Sequence, residues 1–375
     1  TFNPPSQIWL PDTATLTRTA DESEEPLNGG DSTLDLDIVH DTIIRGTGPA
    51  SSIIDANGID RALTVASGAR LELVDVAVTR GQAFSTDRAC GLNGGAICTQ
   101  GMLELTYVDV YSNAANGNRS QGGAVFAAGY FFSAINSNFY NNTATISGGL
   151  AIFSQGEMPV QFILSRSAVY ENIASFGSSG LGVDSNSTVA INVVATTFSQ
   201  NRVFDGVGAI GVTASAGSTF SITGSTIVNT NYPTRPLITF SGGRLELTDT
   251  IVAGSPTATV ESVRDRDNGG VFFTGGNVIA VVENLSNPPA DTDQLGSLDI
   301  PLDPMLGELQ NNGGPTWTHL PLFGSPAIDR GVYEALHIDQ RGIGRWNDGD
   351  GDGLHRPDAG AAEAPPTIVI EPGMD

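Results

Sequence analysis

The sequence predicts an all-β protein, a single solenoid of the right-handed parallel β-helix type with a cap at each end. Glycine accounts for 46 of the 375 residues and charged residues for only 15%, a composition that favours strands and turns over a helical bundle. A pattern of apolar residues spaced by two returns at intervals of 25 to 35 residues. Pairs of glycines recur with a similar period and give the same register.

The charge balance argues against nucleic acid as a partner. The chain has 17 basic and 41 acidic residues, a net charge of −24, and every basic residue is Arg. Nucleic-acid binding needs a positively charged surface, which this composition does not supply, and an anionic membrane surface is disfavoured for the same reason. No apolar run reaches the roughly 18–20 residues that span a bilayer, so we expect no transmembrane segment.

The repeat defines the coils of the predicted solenoid. Each copy has two apolar residues spaced by two, a step of three, two more small or apolar residues, and then usually Asn, Gly, Ser or Thr. A spacing of two is the period of a strand rather than of a helix. Such a unit cannot bury its apolar side alone, and stacking on its neighbours buries it. The copies begin at Leu36, Leu71, Leu103, Phe132, Phe162, Ile191, Phe220 and Leu245, the first being the faintest.

Two kinds of residue mark the predicted corners between strands. Four copies end in Asn, at Asn113, Asn142, Asn172 and Asn201. Asn tolerates left-handed backbone, and its amide can bond to the copies above and below, so we predict a structural ladder at this corner; a binding site is the alternative. The Gly-Gly pairs that begin at residues 94, 122 and 148 predict a second corner with positive φ or close backbone approach.

The repeat divides the chain into four regions. We predict an N-terminal cap over residues 1–35, solenoid coils over 36–299 and a C-terminal capping region over 300–363, folded onto the last coils. Residues 364–375 form a tail in which Thr367, Ile368, Val369 and Ile370 predict a short strand. That strand either packs against its own molecule or adds to a sheet edge of a neighbouring subunit.

Two short motifs predict small sites. Cys90 and Cys98 are eight residues apart, and we predict a disulfide between them in an oxidising compartment, with two free thiols as the alternative. In residues 347–353, Asp alternates with Gly, which places Asp348, Asp350 and Asp352 on one side of a tight loop as oxygen ligands for Ca²⁺. The alternative is an exposed acidic turn.

Several motifs resemble the choice-of-anchor Q family of bacterial surface proteins. They are the runs 303–319, 324–329 and 339–342, together with Asp358-Ala-Gly-Ala-Ala-Glu363, in which the two residues before Glu363 depart from the family pattern. The Gly-Gly-Ala repeats are similar to those of polymorphic outer-membrane proteins. The resemblance covers nearly the whole chain and is most specific over 303–342. It implies a right-handed parallel β-helix that is exported and surface-associated, and it implies no single activity.

The enzymes that use this fold are mostly polysaccharide lyases and hydrolases, and their motifs are not found. A Lys–Arg lyase site is excluded because the chain has no Lys, and the Asn-Thr-Asp, Asp-Asp and Gly-His-Gly motifs of pectin-type hydrolases do not occur. Asp75 and Asp109, 34 residues apart, predict neighbouring carboxylates on an outer face. We interpret them as solvated rather than as an acid–base pair, and we assign no catalytic residue.

Aromatic residues predict a strip for stacking on sugar rings. Tyr130, Phe131, Tyr140 and Tyr170 fall outside the apolar positions of the repeat, so we expect them to be exposed and available for contact with a glycan.

The main hypothesis is a non-enzymatic structural or adhesive protein at a bacterial surface or in the extracellular space. It self-assembles into matrix or filaments through its C-terminal strand, or it contacts a surface glycan, with Ca²⁺ as the expected cofactor. The alternative is a β-helix that binds or degrades a polysaccharide.

Overall fold

The computed structural model describes residues 5–11, 15–17, 35–83, 90–154, 159–229, 234–267, 270–283, 286–332 and 336–366. Over these residues all regular secondary structure is β-strand, and the strands form stacked sheets in which neighbours run parallel. The fold is therefore a parallel β-solenoid, and the predicted fold class is confirmed. The predicted tail strand, Thr367 to Ile370, lies outside the described residues.

Each coil passes through three long sheets in the same order, which we call sheets 1, 2 and 3. Sheet 1 has ten described strands: Ser6–Trp9, Thr42–Arg45, Arg70–Val74, Met102–Thr106, Phe131–Ile135, Val160–Ser165, Val189–Val194, Thr219–Thr223, Arg244–Thr248 and Val271–Phe273. Sheet 2 has eleven: Thr15–Thr17, Ile53–Asp55, Ala77–Thr79, Asp109–Tyr111, Asn138–Tyr140, Ala168–Tyr170, Thr197–Ser199, Thr226–Val228, Ile251–Ala253, Val278–Ile279 and Gln294–Leu295.

Sheet 3 completes the coil, and a short fourth sheet lies between sheets 2 and 3. Sheet 3 has nine described strands: Leu36–Ile38, Leu63–Val65, Ile97–Thr99, Val125–Ala127, Leu150–Ser154, Leu181–Ser185, Ile210–Thr213, Ile238–Ser241 and Val263–Asp265. The short sheet has five: Gln82–Ala83, Ala114–Ala115, Thr143–Ile146, Ile173–Ser178 and Arg202–Val207.

The repeat places its apolar residues in register along the axis. The first apolar position of the last seven copies forms one row in sheet 1, in which Leu71, Leu103, Phe132, Phe162, Ile191, Phe220 and Leu245 pair from coil to coil. All of these side chains are buried, and they belong to one continuous core cluster. The rings of Phe132 and Phe162 stack with their centroids 4.6 Å apart.

The register that we predicted for the first and faintest copy of the repeat was wrong. We expected Leu36 and Ile38 to precede Leu71 and Leu73 in one row, but the strand Leu36–Ile38 lies in sheet 3 and pairs with Leu63–Val65. The sheet-1 partner of Leu73 is Ile44. Two pairs of adjacent apolar residues, Ile38-Val39 and Ile43-Ile44, lie close to this position, so the spacing of two alone did not fix which strand belongs to which sheet.

The Asn residues form a hydrogen-bonded ladder at the corner after sheet 2. The side-chain amide of Asn113 donates to Asn142 Oδ1 (2.9 Å), that of Asn142 to Asn172 Oδ1 (3.0 Å) and that of Asn172 to Asn201 Oδ1 (3.0 Å). The left-handed backbone that we expected at these Asn residues is found one residue earlier, for example at Asn141, with φ of 55°. The turn is made before the ladder, and the Asn side chain points inward.

At the corner before sheet 3, glycines allow the main chain of one coil to lie very close to the main chain of the next coil. Gly94 and Gly122 have φ near +70°, at 69° and 68°, a conformation that glycine adopts without steric cost. Their neighbours need glycine for a different reason. A Cβ atom on Gly95 would lie 2.3 Å from the carbonyl oxygen of Gly123, and one on Gly123 would lie 2.2 Å from that of Gly148.

The region predicted as the N-terminal cap contributes strands to the sheets. Ser6–Trp9 pairs with Thr42–Arg45 in sheet 1, and Thr15–Thr17 pairs with Ile53–Asp55 in sheet 2. At the end of this region, the buried carboxylate of Asp35 pairs with the buried guanidinium of Arg61 at 3.1 Å. The stack of coils therefore extends into residues 1–35.

The region predicted to fold onto the last coils packs against them, where Ala327 and Ala359 cluster with Ile251 and Val278, and it also runs along the side of the solenoid. We call residues 303–366 the C-terminal segment. Its main chain and side chains bond to outward groups of sheet 2 over several coils, from Asn138 (3.2 Å to Pro315 O) to Thr226 Oγ1 (2.9 Å from the Ala361 amide). Outward residues of sheet 2 such as Ala168, at 0% exposure, are consequently buried.

The predicted disulfide is present. Cys90 and Cys98 are bonded, with their Cα atoms 6.3 Å apart, and they pack in a small cluster with Phe126 and Ala151 on the outer side of sheet 3. The bond ties the loop that follows the short sheet to the strand Ile97–Thr99.

Candidate functional site

A stack of aromatic rings links the solenoid to the C-terminal segment. Tyr111, Tyr140 and Tyr170 occupy one outward row of sheet 2, and their ring centroids are 5.0 Å apart at each step. Trp317 of the C-terminal segment continues the stack at 5.5 Å from Tyr170, with 9° between the ring planes. The spacing follows from the separation of parallel strands, which places like side chains over like.

The four residues predicted as a sugar-stacking strip do not form one strip, since two lie on sheet 2 and two lie at sheet 1. Tyr140 and Tyr170 have a ring on each face, so a sugar has no free face on which to stack there. Tyr170 is also buried, at 5% exposure. Tyr130 and Phe131 lie elsewhere, at the start of a sheet-1 strand. Glycan contact at these residues remains a prediction, and at Tyr140 and Tyr170 it is limited to the ring edges.

A groove opens beside the aromatic stack, between sheet 2 and the C-terminal segment. Its volume is about 290 Å³. The lining residues are Asp109, Asn138, Tyr140, Asn141, Tyr170, Glu171, Asn311, Gly314, Pro315 and Trp317. Carboxylates, amides and aromatic rings thus converge from two parts of the chain, residues 109–171 and residues 311–317. We refer to this feature as the ring groove.

Asp109 is one of two acidic residues that line the ring groove. One carboxylate oxygen accepts a hydrogen bond from Asn138 Nδ2 at 2.8 Å. Burial raises the pKa of the Asp109 carboxyl, and the hydrogen bond from Asn138 only partly opposes that rise. The expected neighbour Asp75 is not beside it, because Asp109 pairs with Ala77 and Asp75 occupies the preceding corner with φ of 55°.

His319 fastens the C-terminal segment to sheet 2. Its Nδ1 lies 2.7 Å from the carbonyl oxygen of Gly307, and its Nε2 lies 2.9 Å from Ser199 Oγ. Since a carbonyl only accepts, Nδ1 carries the proton and the Ser199 hydroxyl donates to Nε2. Burial lowers the pKa of His319, so the ring is neutral at pH 7 and contributes through its two hydrogen bonds.

A buried ionic cluster holds the C-terminal segment together. Arg341 Nη2 lies 2.7 Å from Asp339 Oδ2, and Arg345 Nε lies 3.3 Å from Glu363 Oε1. Arg345 also donates to the carbonyl oxygens of Gly360 and Asp358. The Asp and Glu side chains are at most 2% exposed. The sequence motifs include Asp339, Arg341 and Glu363 but not Arg345, and they gave no indication that these side chains form buried pairs.

The acidic loop brings together a different trio from the one predicted. Oxygen atoms of Asp329, Asp348 and Asp350 lie within 4.8 Å of one another. Asp352 is not part of this trio, and its Oδ1 accepts a bond from the Leu354 amide at 2.7 Å. Asp329 arrives from a distant turn, so the spacing within 347–353 could not reveal it.

The trio fits a divalent cation in its donor set. Burial and the neighbouring carboxylate of Asp358 raise the pKa of Asp329 to about 6. Asp329 Oδ1 is buried and has no hydrogen-bond partner within the described part of the chain. Hard cations such as Ca²⁺ and Mg²⁺ take such oxygen ligands. Nothing in the geometry selects Ca²⁺, which remains a prediction.

Divalent cations are expected to raise the melting temperature by a few degrees at saturating concentration. Asp329→Asn should remove most of the effect, whereas Asp352→Asn, which removes the same charge from outside the trio, should leave it. Because ligation requires the Asp329 carboxylate, affinity should fall as the pH drops below about 6, by up to about tenfold per unit. Thermal scanning with Ca²⁺, Mg²⁺ and EDTA tests this. Equal shifts in both variants would contradict it.

Comparisons with known proteins gave no relative. A scan against protein-family models, a search of curated proteins and a search of solved structures each found no match. The resemblance to the choice-of-anchor Q family therefore rests on the sequence motifs alone. Within the described residues, no helix is long and apolar enough to cross a membrane.

Proposed function

We propose that this protein is an extracellular structural or adhesive solenoid that self-assembles at a bacterial surface or into matrix. The observation that carries the proposal is the continuity of the cross-coil contacts. The Asn ladder joins four successive coils along one corner, from Asn113 to Asn201. At the corner between sheets 1 and 2, hydroxyl groups do the same, with the Ser137 amide donating to Ser167 Oγ at 3.2 Å. These bonds lie along the axis and stiffen the molecule in that direction.

Two further features support this proposal. The disulfide between Cys90 and Cys98 suits an oxidising, extracellular compartment. The C-terminal segment buries the outward face of sheet 2, so the solenoid is braced along its side as well as through its core.

The first coil offers a surface for association. The strand Ser6–Trp9 is the outermost described strand of sheet 1, and all four of its residues are exposed, with Trp9 at 68% and Ile8 at 42%. An exposed strand edge is a template for pairing with a strand from another chain. Pairing between the two unlike ends of the solenoid is heterologous and generates filaments rather than closed dimers.

Light scattering and negative-stain electron microscopy test the proposal directly. We expect polymers or filaments, and we expect Ca²⁺ followed by EDTA to show whether assembly depends on a cation. Deletion of Thr367 to Ile370 then tests whether the tail strand contributes. A monomer of 38.9 kDa under all conditions would contradict self-assembly.

The substitution Gln7→Pro is expected to abolish filament formation without unfolding the protein. The amides of Ser6 and Leu10 donate inward to the next strand, to Asp41 O (2.9 Å) and Arg45 O (2.8 Å). Since alternate amides of a strand point to opposite sides, the Gln7 amide points away from the neighbouring strand, to the side where no further strand is described. Proline removes only that donor and is tolerated on edge strands. Gln7→Ala keeps the amide and is the control. Equal filament yields for the two variants would exclude this edge as the interface.

A further inference from the structure

The ring groove has the properties of a ligand site that the structural role does not use. Asn138 is 7% exposed and donates to both Asp109 Oδ1 (2.8 Å) and Pro315 O (3.2 Å), yet its own Oδ1 has no hydrogen-bond partner in the described residues. A buried acceptor without a donor is costly. One residue of the groove lining therefore holds a buried, unpaired acceptor next to the carboxylate of Asp109.

The charge of the ring groove is unbalanced. Asp109 and Glu171 are acidic, and none of the ten described lining residues is basic. Two Arg side chains of the C-terminal segment, Arg341 and Arg345, are committed to buried pairs with Asp339 and Glu363. Desolvating a carboxylate without a counter-charge is unfavourable, and a cation brought by a ligand relieves that cost.

The aromatic and amide residues of the groove indicate which groups the ligand has besides a cation. Trp317 ends the aromatic stack, so one ring face is covered by Tyr170, and the side chain is still 41% exposed. Indole faces attract both the C–H face of a pyranose and a cation. Asn141 and Asn311 add amide groups that pair with hydroxyls. A volume of about 290 Å³ is at the lower end for ligand pockets, enough for a small unit of a longer chain.

We propose that the ring groove binds an amino-sugar unit of a glycan, with the ammonium group at Asp109 and the sugar ring against Trp317. A lysine side chain of a partner protein would satisfy the carboxylates but would leave the indole face and the two amides unused. The amino sugar uses all three kinds of group.

The test compares three β-1,4-linked tetrasaccharides that differ only at C2: glucosamine, N-acetylglucosamine and glucose. Isothermal titration calorimetry with the full chain at mildly acidic pH should show the glucosamine oligomer binding at least tenfold more tightly than the other two. Added salt should weaken that preference, because it depends on charge. Equal binding of all three oligomers would overturn the ammonium assignment, and no binding would overturn the glycan assignment.

Substitutions inside and outside the ring groove test whether the glucosamine oligomer binds there. Asp109→Asn should reduce glucosamine affinity to the level of the glucose oligomer, while Trp317→Leu should weaken all three. Glu308→Gln removes the same charge from an exposed position of the C-terminal segment outside the groove and should change nothing. A melting temperature within a degree or two of the parent shows that each variant is folded. If tri-lysine competes in an Asp109-dependent manner and glucosamine oligomers do not, the ligand is a protein side chain and the proposal fails.

Discussion

Asn142→Ala is expected to destabilise the protein by about 3–5 kcal/mol, because it removes four buried hydrogen bonds at once. Asn142 Oδ1 accepts from both the main-chain amide (3.1 Å) and the side-chain amide (2.9 Å) of Asn113. Its Nδ2 donates to Val110 O (2.9 Å) and to Asn172 Oδ1 (3.0 Å). All three Asn side chains are buried, at 1% exposure or less, so water cannot replace the lost partners without entering the coil.

Chemical denaturation measures the effect, with Asn192→Ala as the matched control. Asn192 is exposed on the outer face of sheet 1 in the same solenoid, and its replacement should change the free energy of unfolding by less than about 0.5 kcal/mol. A double substitution of Asn142 and Asn172 should cost less than the sum of the single ones, since they share a bond. Additive costs, or a cost for Asn142→Ala near that of the control, would mean that the ladder is not a cooperative element.

The coils could be predicted because the sequence pattern that specifies each coil lies within that coil. Within each coil the inward side chains recur at a spacing of two, as at Leu71 and Leu73, and stacking in parallel register repeats the same spacing in the next coil. The first coil was misplaced because Ile43 and Ile44 are both buried, so alternation along that strand is lost. The corner residues with left-handed backbone vary in type, for example Ser112, Asn141 and Glu171. Because no residue type is common to them, the sequence did not indicate these positions.

The candidate sites could be predicted only in part because their residues meet through the packing of the C-terminal segment. Asp348 and Asp350 were found from their loop, but Asp329 joins them from another turn. Tyr140 and Tyr170 were found as aromatic, but the partner that closes their stack, Trp317, lies about 150 residues later. The small outward residues of sheet 2, such as Ala168 and Thr197, were the available signal that something covers that face.

Arg345→Met is expected to cost about 3–5 kcal/mol and to loosen the C-terminal segment from sheet 2. The Arg345 side chain is fully buried and connects Glu363 with the carbonyl oxygens of Asp358 and Gly360. The Gly360 amide in turn donates to Asp249 O at 2.7 Å, on the solenoid. Without the guanidinium the two carbonyl oxygens lose their donor and Glu363 loses its ion-pair partner, so the attachment at Asp249 weakens as well. Limited proteolysis within residues 303–366, followed by mass spectrometry, measures the loosening.

Glu363→Gln separates the charge of the ionic cluster from its hydrogen bonds. Three acids (Asp339, Asp358 and Glu363) face two guanidinium groups (Arg341 and Arg345), so one bound proton makes the cluster neutral. Burial raises the pKa of Glu363 to about 9, more than the pull of Arg345 lowers it. The folded protein therefore keeps a proton that the unfolded chain releases near pH 4.5, and this group's contribution to stability declines as the pH rises from about 4.5 to 9.

The glutamine variant should remove that decline and be at least as stable as the parent at pH 8, because an amide stays neutral and still accepts from the Asp358 main chain. Urea denaturation of the parent, Glu363→Gln and Arg345→Met at pH 5 and pH 8 gives the comparison. If Glu363→Gln is as damaging as Arg345→Met at both values, the carboxylate is ionised and the pair is an ordinary salt bridge. If only Arg345→Met is damaging, the C-terminal segment depends on the guanidinium and its carbonyl partners, and a shared proton balances the remaining charge.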